Sequence, residues 1–243
     1  MITAKYRRHL PQLQATRLLT DGGIETTLIF HDGLDLPLFA AFTLLEPDEG
    51  RRALRRYFER YASVARDQGT GFILDGATWR ASRDWGDRLG CSAERPAEAN
   101  DGAVAMLFEL RDAFDASESF VISGNIGPRG DGYLMDQAMT ADEVEDYHAA
   151  QVATVDAAGV DMISANTMTQ AGEVAGIARA CAKRSVPLAL SFMVETDGRL
   201  PSGRSLGGAI REVNAGPPGE PSYLHDQLNA RGATVSGVLA FFG

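Results

Sequence analysis

Residues 140–165 read TADEVEDYHAAQVATVDAAGVDMISA, and this stretch joins an amphipathic helix to a short apolar strand. The helix is predicted to begin in a capping box, because Glu143 follows Thr140 at the spacing that lets the two residues exchange hydrogen bonds. Apolar side chains then recur along one helical face. The next run, residues 160–165, has the composition of a buried strand. A helix followed by such a strand is typical of the βα units that build parallel sheets.

The same alternation extends in both directions from this stretch. Strands are predicted at residues 18–21, 71–75, 120–124, 160–165 and 187–194, and further helices from Pro47 to about residue 65 and over about residues 103–116 and 170–183. Five successive βα units predict an α/β fold of the TIM (β/α)8-barrel type. Three more units of roughly 30 residues each do not fit after Glu195. The barrel is therefore expected to be incomplete, with five to six units and a last apolar strand at residues 235–242.

Charge and composition exclude several classes of partner. The 243-residue chain has a formal net charge of -10, which repels nucleic acid and anionic membrane surfaces. No apolar run approaches the roughly 20 residues of a membrane-spanning helix, and no signal peptide is recognised at the N-terminus. Cys91 and Cys181 have neither pairing nor metal-type spacing, so two free thiols in a reducing cytoplasm are expected. The sequence thus predicts a cytoplasmic protein that binds a small molecule.

Polar residues follow every predicted strand, where a parallel barrel has its ligand-binding edge. The candidate substrate-binding residues are Asp21, Gly22, Gly23, Glu25 and Thr26 after the first strand, Thr78 after the second, Asn125 after the third, Asn166 and Thr167 after the fourth, and Glu195 after the fifth. The glycine pair lets the backbone approach a ligand closely, and the carboxylate of Asp21 suits an ammonium group. We expect these residues to converge at one site.

Each motif also has a purely structural interpretation. A glycine pair after a strand is typical of a simple turn, and the glycines around Asn125 fit tight chain passage nearly as well as ligand binding. Trp79 alone fits packing better than a ligand contact. His148 fits a packing or surface position on its helix better than a metal site. The individual motifs therefore leave the function open, whereas their joint occurrence at successive strand ends indicates one small-molecule site.

Four motifs taken together resemble the homocysteine S-methyltransferase family. They are DGGIET at residues 21–26, GNIGP at residues 124–128, GVDMISA at residues 159–165 and SFMVETDG at residues 191–198. Their order and spacing are also similar to those of the family, and the resemblance covers roughly residues 18–213. It implies a TIM barrel that forms a single domain over residues 1–243.

The resemblance also implies an activity. Members of the family transfer a methyl group from a donor such as S-methylmethionine or betaine to the sulfur of homocysteine, which gives methionine. They use zinc, which binds the thiol and lowers its pKa so that a thiolate forms at neutral pH. By this resemblance Asp21 helps to hold the amino acid. Asn166 stands where the family has a ligand-contacting glutamate.

The sequence departs from the family at the zinc ligands. In the family these are cysteines, one in an Asn-Cys motif at the sixth strand and an adjacent pair in a Gly-Gly-Cys-Cys motif at the eighth, and neither motif occurs here. After about residue 221 the family pattern Tyr-Met-Ile-Asn-Cys is replaced by YLHDQLN at residues 223–229. Codons for residues 224–228 can be chosen so that the frame displaced by one base spells Tyr-Met-Ile-Asn. We therefore hypothesise a frameshift in the coding sequence, and we predict no metal-binding residues.

Three functions are compatible with these patterns. The first is a homocysteine S-methyltransferase homologue whose C-terminal part is missing or altered, together with its zinc site. The second is a catalytically inactive protein that binds an amino acid through Asp21 and the polar residues of the next three strand ends. The third is an unrelated barrel enzyme, such as a lyase, with Asp21, Asp75 and Glu195 around Mg²⁺. An incomplete barrel would expose strand edges, so its open side is expected to pair with a second copy of the chain.

Overall fold

A computed structural model describes residues 4–14, 16–114, 119–132, 139–214 and 239–242. Its centre is a six-stranded sheet with the strands in chain order. The strands are β1 (Leu18–Leu19), β2 (Gly71–Asp75), β3 (Phe120–Ile126), β4 (Met162–Met168), β5 (Leu188–Phe192) and β6 (Leu239–Phe242). The first five pair in parallel, and β6 pairs antiparallel with β5. The parallel strands curl into half of a barrel, which confirms the expected incomplete TIM-type fold.

Helices alternate with these strands. They are α1 (Ile24–Thr26), α2 (Asp48–Asp67), α3 (Arg83–Arg88), α4 (Arg95–Phe114), α5 (Ala141–Ala157), α6 (Ala171–Ala182) and α7 (Leu206–Asn214). The first continues as a π-helical turn over Thr27–His31. Within the ranges given above, none of the helices combines the length and the apolar character that crossing a bilayer requires.

The predicted element boundaries agree best where a local signal marks them. At α5 the amide N of Thr140 donates to the Glu143 carboxylate at 2.8 Å, and the Glu143 amide donates to Thr140 Oγ1 at 3.3 Å, which confirms the capping box. The prediction for β2 matches the structure, and α2 begins directly after Pro47. By contrast, α4 begins at Arg95 and not near residue 103. Its first turns were missed because they are largely polar and carry no apolar stripe. The short α3 and α7 were not predicted.

The predicted features near the C-terminal end are only partly covered by the structure. The last four residues of the predicted strand at 235–242 form β6, and residues 235–238 lie outside the described part. The predicted loop at residues 214–221 and the proposed frameshift site at residues 223–229 also lie outside the described residues, apart from Asn214 at the end of α7.

The outer face of the sheet forms the main core with the helices. Strand residues on this face alternate with residues on the inner face, as the two-residue period of a strand requires. Buried outer-face residues include Phe72, Leu74, Phe120, Ile122, Ile163, Leu188 and Leu190. They pack in the same cluster as apolar side chains of α2, α4, α5 and α6, so the helices cover one side of the sheet.

The inner face of the half-barrel has an apolar layer, which we call the floor. The floor consists of Ile73, Val121, Met162 and Ala189 from β2 to β5, and of Leu10 from the N-terminal segment. Two residues further along the strands the inner face becomes polar, with Asp75, Ser123 and Ser164. The hydroxyl groups of Ser123 and Ser164 lie 2.7 Å apart and form a buried hydrogen bond. The inner face therefore changes from apolar to polar toward the carboxyl ends of the strands.

One buried carboxylate fastens the N-terminal segment under the floor. Asp161 Oδ1 accepts a hydrogen bond from the Tyr6 amide at 2.7 Å. Its Oδ2 accepts from the Ile122 amide at 2.9 Å and from the Arg111 guanidinium at 3.3 Å. Arg7 adds a hydrogen bond to the Val160 carbonyl at 2.7 Å. Asp161 thus joins the N-terminal segment, β3 and α4 at the point where β4 begins.

Removing this carboxylate should destabilise the fold. Asp161→Ala leaves the Arg111 guanidinium without its carboxylate partner and the Ile122 amide without its acceptor, so we expect a loss on the order of 2–4 kcal/mol in the free energy of unfolding. Urea denaturation measures this quantity. Asp101→Asn, which changes an exposed carboxylate on α4, is the control and should unfold like the unaltered protein. Equal stability of Asp161→Ala and the unaltered protein would contradict the anchoring role.

Candidate functional site

The first part of the candidate site is the loop between β1 and α1. Asp21 comes two residues after β1 and is followed by Gly22 and Gly23. A Cβ atom on Gly22 would lie 2.7 Å from the Tyr61 hydroxyl, so a side chain at this position would require Tyr61 on α2 to move. Gly23 has φ of 91°, a conformation that favours glycine, and it directly precedes α1. The glycine pair therefore turns the chain so that Asp21 is held against α2.

A tyrosine on α2 fixes the orientation of Asp21. The hydroxyl of Tyr57, which is fully buried, donates to Asp21 Oδ2 at 2.7 Å. Burial raises the pKa of Asp21 above its ordinary value, and the hydrogen bond from Tyr57 opposes that rise. Burial and the negative charge of Asp21 also raise the pKa of Tyr57. Tyr57 therefore remains a hydrogen-bond donor, and it stabilises the ionised form of Asp21.

Glu25 brings a second carboxyl group close to Asp21. Burial raises its pKa to about 7; a backbone hydrogen bond opposes the shift, the charge of Asp21 adds to it and the charge of Arg80 lowers it. The Arg80 guanidinium lies 3.7 Å from the ring of Trp85 and donates to the Leu38 carbonyl at 2.7 Å. Thr26, the next residue of α1, is exposed. The loop thus contributes two partly buried carboxyl groups, with one arginine near the second.

The ends of β2, β3 and β4 are joined by a hydrogen-bonded set of side chains. Asn166 Nδ2 donates to Asp75 Oδ2 at 3.0 Å and to Asn125 Oδ1 at 3.1 Å. Burial raises the pKa of Asp75 to about 8; the nearby hydroxyls of Ser123 and Ser164 and the hydrogen bond from Asn166 oppose the shift, and the charge of Asp21 adds to it. This electrostatic coupling connects the set to the β1 loop. We call Asp21, Glu25, Asp75, Asn125 and Asn166 the rim cluster.

Thr78 positions one member of the rim cluster, Asn125, through hydrogen bonds to its main chain. It is fully buried, and its hydroxyl donates to the Asn125 carbonyl at 2.7 Å and accepts from the Asn125 amide at 3.1 Å. The single donor of a threonine hydroxyl is therefore used by the main chain of β3. The sequence predicts that Thr78 contacts the ligand, and in the structure its hydroxyl group holds the main chain of Asn125 in place.

Thr167 and Trp79 form the next contact along the edge. The indole Nε1 of Trp79 donates to Thr167 Oγ1 at 3.0 Å and to the Asn166 carbonyl at 3.2 Å. Thr167 has φ of 58°, which is unusual for a β-branched residue and costs backbone strain. Trp79 therefore stabilises the strained backbone directly after Asn166, in keeping with the structural interpretation of this residue.

Glu195 differs from the other predicted residues. It is exposed, and its main-chain amide donates to the Arg199 carbonyl at 2.7 Å in the turn that follows β5. In the described part of the chain no side-chain hydrogen bond or ion pair connects it to the rim cluster. The structure thus brings together the predicted residues of the first four strand ends and leaves Glu195 outside that network.

Two members of this network were missed or underused by sequence reasoning. Tyr57 lies on α2, far from Asp21 in the sequence, and its place in the apolar stripe of that helix gave only a core signal. Asp75 ends a predicted strand, but the sequence interpretation groups it with Asp21 only in the magnesium site and not in the amino-acid site. Ser123 and Ser164 gave no signal, because serines inside strands are common.

The described residues do not fit a zinc site. In the ranges that the structure covers, no three His, Cys, Asp or Glu side chains are grouped to hold a metal ion. Cys91 follows α3, where its amide donates to the Gly86 carbonyl, and Cys181 is buried in the outer core on α6. Burial raises the pKa of the Cys181 thiol to about 12, so it does not supply a thiolate at neutral pH. Neither cysteine of the chain belongs to the rim cluster.

A separate cavity of about 350 Å³ lies outside the rim cluster. Its lining is polar and charged, and includes Arg88, Arg129, Asp131 and Glu173. At its wall the buried Glu173 pairs with His148 at 3.0 Å and accepts from the Arg129 amide at 2.7 Å. None of the predicted site residues lines this cavity, and His148 has a buried packing position on α5, as the structural interpretation expected.

The rim cluster is suited to binding a cation with several hydrogen-bond donors. Three carboxyl groups lie at the carboxyl ends of parallel strands or in the adjoining loop, and all three have raised pKa values because they are desolvated. An ammonium group would supply both the missing positive charge and the donors. The chemistry of the site therefore favours a small ligand with a protonated amine.

Comparisons with known proteins give a consistent result. Residues 18–223 match the homocysteine S-methyltransferase family. Two crystal structures of the homocysteine methyltransferase MmuM from Escherichia coli are similar to the chain at 20% sequence identity. The oxidized form gives a TM-score of 0.70 and covers 87% of this chain and 73% of that chain. The metallated form has a TM-score of 0.67, and the alignment covers 86% of this chain and 74% of the MmuM chain. No curated protein sequence matches the chain.

The raised pKa values of the rim cluster predict how stability depends on pH. The folded protein keeps protons on Asp75 and Glu25 up to about pH 8 and about pH 7, whereas the unfolded chain releases them near 3.8 and 4.5. The free energy of unfolding should therefore fall as pH rises between these limits. Asp75→Asn removes one of the two groups. Between about pH 5 and about pH 8.5 the free energy of unfolding of this variant should therefore fall by at least about 1 kcal/mol less than that of the unaltered protein.

Urea denaturation at the two pH values tests this, with Asp101→Asn as the matched control. The control should show the same pH dependence as the unaltered protein, since Asp101 is exposed on α4. A pH dependence in Asp75→Asn equal to that of the control would show that Asp75 titrates normally.

Proposed function

The chain belongs to the homocysteine S-methyltransferase family, and we propose that it is a methyltransferase-like protein whose rim cluster binds homocysteine. In reactions of this family homocysteine accepts a methyl group from a donor such as S-methylmethionine or betaine, which gives methionine, and the described residues of this chain supply the amino-acid site but not the zinc site for that transfer. The observation that carries the proposal is the group of desolvated carboxyls beside Asn125 and Asn166, because it suits the ammonium group of an amino acid.

Asp21 is the central residue of the proposed site. Its Oδ2 is held by Tyr57, which leaves Oδ1 available to accept a hydrogen bond from the ammonium group of the ligand. Gly22, Gly23 and Thr26 lie beside it, and their main-chain amides are the proposed donors for the ligand carboxylate. Asn125, Asn166 and Thr167 would limit the ligand on the opposite side, and Thr78 acts through Asn125. Glu195 would contact the ligand only at the periphery of the site.

Thiol activation is the part of the reaction that the described residues do not explain. In proteins a zinc ion of this kind needs about three ligands besides the substrate. The placement of Cys91 and Cys181 in the outer part of the molecule does not fit such a site.

A second candidate function follows from the positions of Cys91 and Cys181, which do not fit a zinc site. The chain would then be a catalytically inactive member of the family that still binds an amino acid through Asp21 and its neighbours. Only a few per cent of a free thiol with a pKa near 8.5 is ionised at neutral pH, so binding without thiol activation would give little turnover. The magnesium lyase loses its support, because the chain matches another family and Glu195 lies outside the rim cluster.

We also propose a domain organisation, a cellular location and a mode of self-association for the protein. We propose a single barrel-type domain, since the described parallel strands form one continuous sheet. Two free cysteines support a location in the reducing cytoplasm. The exposed side chains of Leu19 on β1 and of Leu13 in the segment before it support pairing with a second copy of the chain.

Removing the charge of Asp21 should weaken amino-acid binding. Asp21→Asn keeps the shape of the side chain but cannot offer a carboxylate to an ammonium group, so we expect affinity for homocysteine to fall at least about 10-fold, or ~1.4 kcal/mol. Isothermal titration calorimetry measures this, with Asp101→Asn as the control of unchanged affinity. Unchanged binding to Asp21→Asn would reject the assignment of this residue.

The purified chain should not catalyse zinc-dependent methyl transfer. We expect no methionine above the level of a protein-free control when the chain is incubated with zinc, homocysteine and S-methylmethionine, because its cysteines are not positioned to hold the metal at the rim cluster. Methionine is quantified by mass spectrometry. Formation well above the control would favour an active methyltransferase over the inactive amino-acid-binding protein.

A further inference from the structure

We infer that Asp75 is a second ammonium-binding residue of the rim cluster, acting together with Asp21, and that Asn166 orients it. This inference rests on the proposed function, because it concerns the same amino-acid ligand. It adds a carboxylate from β2 to a site that otherwise depends on the β1 loop.

The strand register places Asp75 on the inner side of the half-barrel. Ile73, two residues earlier on β2, belongs to the floor. Side chains two residues apart on a strand point to the same face, so Asp75 lies above the floor on the ligand side of the sheet. On the neighbouring strand β3, Ser123 is the register partner of Asp75. Asp75 is therefore a member of the polar inner layer and not of the outer core.

The two oxygen atoms of Asp75 have different surroundings. Oδ2 accepts the hydrogen bond from Asn166 Nδ2 at 3.0 Å, which fixes the plane of the carboxyl group. Oδ1 is buried, and no donor among the described residues meets it with hydrogen-bond geometry. The hydroxyls of Ser123 and Ser164, which bond to each other, lie close enough to lower the pKa of the carboxyl. A buried oxygen without a donor is costly, and a carboxylate has room for several donors. An ammonium group placed between Asp21 and Asp75 would supply the missing donor to Oδ1.

The charges around Asp75 favour a cationic ligand. No ion pair in the described ranges involves Asp21, Glu25 or Asp75. Asp75 is electrostatically coupled to the carboxyl of Asp21, accepts a hydrogen bond from the amide of Asn166, and has the neutral hydroxyls of Ser123 and Ser164 beside it. Both Nδ2 hydrogen bonds of that amide are used by Asp75 and Asn125. In the absence of a ligand, burial favours the protonated form of Asp75, and a bound cation would replace that proton.

Two carboxylates on one ammonium group imply a specific selectivity. An amino acid should bind far better than the same molecule without its amine. The molecule without the amine leaves Asp21 and Asp75 without a partner, and its own carboxylate adds a negative charge that no ammonium group balances. Asp75 should contribute to affinity for the amine and not to affinity for the rest of the ligand. This difference separates an ammonium-binding residue from one that only maintains the fold.

Calorimetric titration near pH 8 with L-methionine and with 4-(methylthio)butanoate, which lacks the amine, tests the inference. L-methionine has no thiol, so its binding does not depend on a metal. We expect Asp75→Asn to lower affinity for L-methionine at least about 10-fold and to leave affinity for 4-(methylthio)butanoate unchanged or higher. Asp75→Asn/Asn166→Asp, which moves the carboxylate to β4, should recover at least about 3-fold of the lost affinity. Asp101→Asn is the control for both ligands.

The outcomes distinguish this inference from the function on which it rests. If the unaltered protein binds L-methionine and Asp21→Asn weakens that binding while Asp75→Asn does not, the inference is wrong and the proposed function stands. If Asp75→Asn weakens both ligands equally, its role is structural and the inference is also wrong. If the unaltered protein binds no L-methionine, both the proposed function and the inference fail.

Discussion

Parallel pairing of β1 to β5 is the constraint on which the rest of the structure depends. Strands that run in one direction end at one edge, so loops that are distant in the sequence meet there. Asp21 and Asn166 belong to opposite halves of the described chain, yet both contribute to one cluster through Asp75. The apolar floor beneath that cluster keeps water away from its lower side. The same geometry that gathers the carboxyl groups therefore also removes much of their hydration.

The desolvated carboxyls show a conflict between stability and ligand binding. Three acidic groups lie close together, and although the charge of Arg80 lowers the pKa of Glu25, they oppose folding once they ionise. Tyr57 and Asn166 offset part of this cost with hydrogen bonds, and protonation offsets another part. A ligand with a positive charge would remove most of the remainder. Sites that are strained in this way when empty are common where binding has been favoured over stability.

The sequence was a good guide to the elements and a partial guide to the site. The capping box at Thr140 and the apolar run of β2 carry their own local signals, so both were predicted correctly. The polar start of α4 carries no apolar stripe and was missed. Spacing along the chain also cannot show that the Thr78 hydroxyl is used by the main chain of β3, or that Tyr57 reaches Asp21 from a helix. Such contacts depend on packing between elements, which no single stretch of sequence encodes.

The anchoring of the N-terminal segment separates two tasks within one small half-barrel. Leu10 and the bonds around Asp161 lie at the amino ends of the strands, where the rim cluster has no members. Substitutions at the rim can therefore accumulate without loosening the layer that holds the strands together. A scaffold divided in this way is evolvable, because ligand preference can drift by single exchanges, such as an amide for a carboxylate, while the floor stays the same. It also offers protein engineers a base on which new rim chemistry can be introduced one residue at a time.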